Sequence, residues 1–320
     1  MRKLELIITF ILISATLTQA QNLTQSIESQ INATREKENS TALNWSSYGE
    51  EEKTAAISSL QTYRQDSLLS VRIKAYDLLY QLSLKSTVND TPQDSLPSLK
   101  LRQASFQAFL QGLNDEERAV QGFIADRLQS AEAEGYTDEM RNLLVGKLNP
   151  RHFYYEELVL ALAYLDQTTA ISPIINHLRT QSSEMSQMER WQAHIALARL
   201  GEQPALDFIV RKAEELQVND NIIYDIYPTL AFTRQKAAVD VLVEQVFNDE
   251  QNCSSPDPDS NQKITCAYRI LEIIAPIIQN FPIPVDEATG DLDTDDYEAA
   301  LQQSREWLEA NRADYVVING

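Results

Sequence analysis

Glycine is scarce in this chain, eight in 320 residues, well under the roughly 7% of an average protein. Sheet proteins rely on glycine at their many tight turns. The shortage therefore argues against an all-β fold and favours helices joined by short polar loops. Basic charge is also short: 27 lysines and arginines face 47 aspartates and glutamates, a formal net charge of −20. A nucleic-acid binder must neutralise phosphates with clustered cations, and an anionic bilayer surface asks for the same, so neither is an expected partner. Histidines number three and cysteines two, and no G-x-S-x-G, P-loop, G-x-G-x-x-G or H-E-x-x-H pattern occurs. The usual residues of nucleophilic, phosphate-binding and zinc chemistry are thus missing. The sequence points to no catalytic residue, no metal ligand set and no cofactor.

Long apolar runs are absent after the first twenty residues. Within them, Arg2 and Lys3 supply a positive start, diluted by Glu5, and Leu6 to Leu17 is apolar apart from Thr9, Ser14 and Thr16. A spanning helix needs about 20 apolar residues, so this run is short for a membrane anchor and suits a signal-peptide core. Thr18 and Ala20 place small residues at the −3 and −1 positions of a cleavage site, and no cysteine follows for lipid attachment. Residues 1–20 read as a signal peptide. The expectation is an exported chain, periplasmic or extracellular, with no membrane insertion after cleavage.

What the chain does have is helical periodicity. Residues 21–50 form a polar N-terminal leader rich in Gln, Asn, Ser and Thr. In it Leu23, Ile27 and Ile31, four apart, permit a short amphipathic helix, and Arg35 to Ser47 reads as exposed. Sequons stand at Asn22, Asn32, Asn39, Asn44, Asn89 and Asn252. From about residue 51 apolar residues recur at three and four: Val71, Ala75, Leu78, Leu79 and Leu82, then Leu101, Ala104, Ala108, Leu110 and Leu113. Ala119, Phe123, Ile124 and Leu128 continue the pattern, and no stretch alternates as a strand would. The fold class expected is all-α.

Three fourteen-residue blocks align without a gap: Leu162–Ile175, Leu197–Val210 and Leu230–Val243, offset by 35 and then 33 residues. Each opens on Leu-Ala, shares a central alanine (Ala170, Ala205, Ala238) followed by Ile171, Leu206 or Val239, and closes on two aliphatics. A fixed period of this length marks helix pairs that bury their faces only by stacking. The run Ala196 to Leu206 resembles the HEAT-repeat consensus, including the bilin-lyase-type form, and Met188 to Ile195 and Val71 to Leu82 resemble HEAT second helices. The resemblance is clear over about 160–245; elsewhere, over 51–160 and 260–282, it extends only to helix pairs of suitable length. It implies an α-solenoid of stacked antiparallel helix pairs over 51–282, followed by an acidic loop and a C-terminal capping helix over 283–320. Bilin lyases with this repeat act inside cells, at odds with an export signal. HEAT hydroxylases hold iron through His-Glu dipeptides, whereas here Phe153, Leu178 and Ile195 follow the histidines. HEAT-type DNA glycosylases need a basic concave face, which an acidic chain does not suit.

Cys253 and Cys266 bracket a polar loop and, in an oxidising compartment, most simply form a disulfide. Asp291, Asp293 and Asp295 occupy positions 1, 3 and 5 of a calcium loop, but Asp296 and Gln302 stand where that loop needs Gly and Glu. The favoured reading makes these acids the N-terminal turn of a helix from about Asp295 to Asn311, capped by Thr294 or Asp293. His152 and Glu156, four apart, would share a helix face as half of a metal site. His194 shares a repeat column with Val159 and Tyr227 and reads as a packed residue. Trp191 and Tyr224 share another column, with Tyr154 and Tyr155 on the preceding helix. These four aromatics are the candidate partner-binding residues, against packing between repeats. The expected function is a non-catalytic scaffold binding a protein or peptide on a curved helical surface. The alternative is an accessory enzyme, or a ligand- or metal-binding solenoid with an acidic or His/Glu site.

Overall fold

A computed structural model describes residues 23–40, 42–85, 97–255, 261–286, 289 and 291–318. The fold is all-α, with two-residue strands β1 (Cys253–Ser254) and β2 (Lys263–Ile264) forming one antiparallel hairpin. The expected signal segment, Asn22 and Asn89 lie outside the described residues. The chain divides into two compact units on either side of the Lys147–Leu148 bond, a boundary that falls inside the expected 51–282 array.

The first unit opens with α1 (23–36), in which Leu23, Ile27 and Ile31 are all buried. The polar leader therefore contains a packed helix. Arg35 pairs with Asp66 and tops the Tyr63 ring, which ties α1 to the end of α2 (Glu50–Tyr63). Next come α3 (Leu69–Ser83), α4 (Leu99–Leu110), α5 (Arg118–Ala125) and α6 (Asp138–Gly146). Their core is aromatic: Phe109 packs against Tyr76, Tyr80, Phe106 and Phe123, and Phe106 meets Tyr136 edge-on. Gly112 lets α5 approach closely, since a Cβ there would sit 2.6 Å from Ile124 Cγ1.

The second unit contains α7 (Tyr155–Tyr164), α8 (Ile171–Thr180), α9 (Gln187–Arg199), α10 (Gln203–Glu214), α11 (Tyr227–Phe232) and α12 (Lys236–Val246). The hairpin follows, then α13 (Ala267–Ile274) and α14 (Tyr297–Asn311). Neighbouring helices pack in sequence, α7 on α9, α9 on α10 and α11, α10 and α11 on α12, and α12 on α13. The aligned blocks become core columns. Leu162, Leu197 and Leu230 are buried, as are Ala170, Ala205 and Ala238, and then Ile174, Ile209 and Leu242. Burying one such aliphatic side chain contributes about 1.5–3 kcal/mol.

The fifth residue of each block has positive φ: Asp166 (50°), Gly201 (92°) and Arg234 (56°). Such a residue ends a helix and turns the chain back. In the first two blocks the bonds Gln167 N to Leu162 O and Glu202 N to Leu197 O, both 2.9 Å, complete a Schellman turn. Arg199 sits among the three turns. Its Nε donates to Ala163 O at 3.2 Å, its Nη1 donates to Phe232 O, and its guanidinium stacks on the Phe232 ring. One cation thus satisfies carbonyls at the C-terminal ends of α7 and α11, where the helix dipoles are negative.

Candidate partner-binding groove

The capping box at Ser186 starts α9: its Oγ accepts from Glu189 N at 3.0 Å while the Glu189 carboxylate accepts from Ser186 N. From that start, Met188, Trp191 and His194 fall three apart on one face. On α10, which has Pro204 in its first turn, Phe208 and Lys212 are four apart and Leu216 follows just past the helix end. These two faces, with Ile226, line a groove of about 710 Å³, within the 300–1,000 Å³ range of ordinary ligand pockets. Two larger clefts, of about 880 and 810 Å³, have polar walls of Gln, Asn, Ser and Glu or of Gln and Arg side chains. The α9–α10 groove is the apolar one.

His194 stacks on Phe208 with ring centroids 4.2 Å apart, and its Nδ1 is buried without a hydrogen-bond partner. Burial holds the imidazole below its ordinary pKa, so the ring is neutral at pH 7. Expected as a packed residue, His194 is packed and also lines the groove. Lys212 pairs with Glu215 at 2.6 Å, and Arg190 Nη1 donates to Ser182 O and Met185 O. Arg211 Cζ lies over the Phe208 ring, 6.0 Å from its centroid.

The four aromatics singled out from sequence separate. Trp191 lines the groove, half-buried, with Nε1 donating to Thr229 Oγ1 of α11 at 2.9 Å. Tyr224 is 58% exposed beneath the Arg269 guanidinium and does not line that groove. Of the two readings for Tyr154 and Tyr155, partner binding or packing, their burial favours packing. Tyr155 is wholly buried against His177, Tyr154 nearly so, and burial raises both phenol pKa values. They belong to the core. Trp191 and Tyr224 part company because residues Ile222–Ile226 form a π turn, in which Tyr227 N reaches Ile222 O. Pro228 has no N–H to bond the Tyr224 carbonyl, and its ring crowds that carbonyl, so the helix widens by one residue. One added residue rotates what precedes it by about 100°, enough to move Tyr224 off the Trp191 column.

Cys253 and Cys266 are bonded, with Cα atoms 5.1 Å apart, and close the β1–β2 hairpin; residues 256–260 at its tip lie outside the described residues. Asp220 accepts from Ser254 N at 3.1 Å and Ser254 Oγ at 2.8 Å, pinning the hairpin just ahead of the π turn. The acidic stretch does end in a helix cap, but the cap is Asp296, whose Oδ1 accepts from Ala299 N at 2.9 Å. Thr294 supports it by accepting from Asp296 N. Residues 287, 288 and 290 lie outside the described residues. His152 lies in the turn before α7, so it does not share a helix face with Glu156. Among the described residues no group of three or more His, Cys, Asp and Glu side chains converges as a metal site, and no helix is long and apolar enough to cross a membrane.

Sequence reasoning missed Met188, Phe208, Lys212, Leu216 and Ile226 as groove residues. The available signal was an apolar pair, Phe208 on α10 and Leu216 just past its end, eight apart and off the face that carries Leu206 and Ile209. No family model, curated protein or solved structure matches the chain.

Proposed function

We propose that this chain is an exported, non-catalytic scaffold, an array of HEAT-like helix pairs that holds a protein or peptide in the α9–α10 groove. One observation carries the reading. Met188 and Leu216 remain 37% and 36% exposed beside Trp191 and Phe208, and apolar side chains gathered in an open groove mark interaction sites. The recurrent turns support the array. The signal-like N-terminus and the Cys253–Cys266 bond support export.

The test uses the partner captured by the immobilised protein from its native envelope or secretome, with melting and binding measured on the same samples. Phe208→Ala, on a half-buried groove wall, should weaken binding by about 2 kcal/mol or more. Tyr224→Ala should leave both binding and melting unchanged. A stable Phe208→Ala protein that binds as tightly as the parent would refute the reading.

A further inference from the structure

We propose, resting on that docking reading, that the groove takes an acidic amphipathic peptide, a segment whose apolar anchors are flanked by carboxylates. The argument is one of charge. The chain carries 47 acids against 27 bases, yet the groove lining is net positive: Lys212 and Glu215 balance as an ion pair, and Arg190, bonded to the backbone carbonyls of Ser182 and Met185, keeps its charge. Arg211 adds a third cation at the Phe208 ring. His194 contributes a flat neutral surface on Phe208 rather than a charge. The aromatic wall is therefore bordered by positive charge in a chain that is acidic overall. Such an island gives register and selectivity to an oppositely charged partner more than raw affinity.

The shape favours a peptide. From Gln187 to His194 the α9 wall runs about 10 Å, or two turns, at 1.5 Å per residue. That length matches anchors at i, i+3 or i+4, and i+7 of a docked helix. Leucine or phenylalanine anchors would meet Trp191, Phe208 and Met188, while glutamates on the flanks would face Arg190, Lys212 and Arg211.

The full secreted chain should be titrated with a fluorescein-labelled helical peptide about 15 residues long, bearing Leu and Phe on one face and Glu on the other. A twin with Lys for Glu, the neutral dye N-phenyl-1-naphthylamine and dodecanoate serve as comparisons. The Glu peptide should bind about tenfold or more tightly than the Lys twin at low salt, with the margin shrinking as salt rises. Lys212→Glu, at an exposed position, should erase that margin while melting unchanged. Equal affinity for the two peptides overturns the acidic preference and leaves docking intact. Saturation by dodecanoate with neither peptide bound also overturns it, marking a site for fatty chains. If the folded protein takes up neither peptides, dye nor dodecanoate, the docking reading falls with it.

Discussion

Removing the Arg199 guanidinium tests whether the three turns of the second unit are held together by one side chain. Arg199→Ala leaves the Phe232 carbonyl without its donor, while the Ala163 carbonyl loses one donor and keeps Asp166 N at 3.1 Å. An unsatisfied buried acceptor costs about 1–3 kcal/mol, so one orphaned carbonyl and one weakened one give a gross loss near 3 kcal/mol. Against this, burial already lowers the pKa of Arg199, and Arg234, whose own pKa is lowered by burial and by the Arg199 charge, repels it. Relief of both effects leaves an expected net loss of about 1–2 kcal/mol, a fall of roughly 2–8 °C in the melting midpoint of a unit this size. Arg199→Lys keeps the charge but cannot reach both carbonyls from a single ammonium, and should recover no more than half. Arg234→Ala should be more favourable with Arg199 present than absent, which a double-mutant cycle measures directly. Urea unfolding followed by circular dichroism supplies the numbers. A loss under about 0.5 kcal/mol for Arg199→Ala would place it within the range of ordinary surface changes and refute the bridging account.

Gly201→Ala should lower stability by about 1 kcal/mol, because φ is +92° and the space around the new Cβ is open, so the penalty is the backbone's alone; an unchanged or higher melting point contradicts this. Replacing Cys253 and Cys266 together by serine should lower stability by about 3 kcal/mol on the loop-entropy account. Peptide mapping without reductant should recover the two cysteines as one linked pair, and two alkylatable thiols in native protein would count against it.

Much of the fold was legible because its signals are local and periodic. The Leu162, Leu197 and Leu230 blocks mark equivalent turns, and the structure gives all three a positive-φ residue at the same place. The Asp and Gly at that place are turn formers, but Arg234 is not, and only alignment with its neighbours reveals it. The site was less legible. For Tyr154 and Tyr155 both partner binding and packing stayed open, because aromatic character says nothing about which way a helix face points. Tyr224 was set in the Trp191 column by counting, and counting fails across a π turn. Pro228 was the visible cue, since a proline inside an apolar helical pattern announces a disturbed ladder. The Asp296 cap lies two residues beyond Thr294, at the limit of the usual uncertainty of a helix boundary.

The hairpin pinned by Asp220 has a consequence for when the groove wall becomes firm. Asn219 and Asp220 sit at the head of the π turn, where Asn219 Oδ1 accepts from Ile222 N and Asp220 grips Ser254. The π turn in turn leads to Ile226, on the groove. Oxidised, the Cys253–Cys266 bond holds Ser254 in reach of Asp220, and opening the wall means breaking the hairpin's grip as well. Without that bond, this edge would open at a smaller local free energy. Maturation by oxidation would then finish the wall last, after the helices it borders have already met.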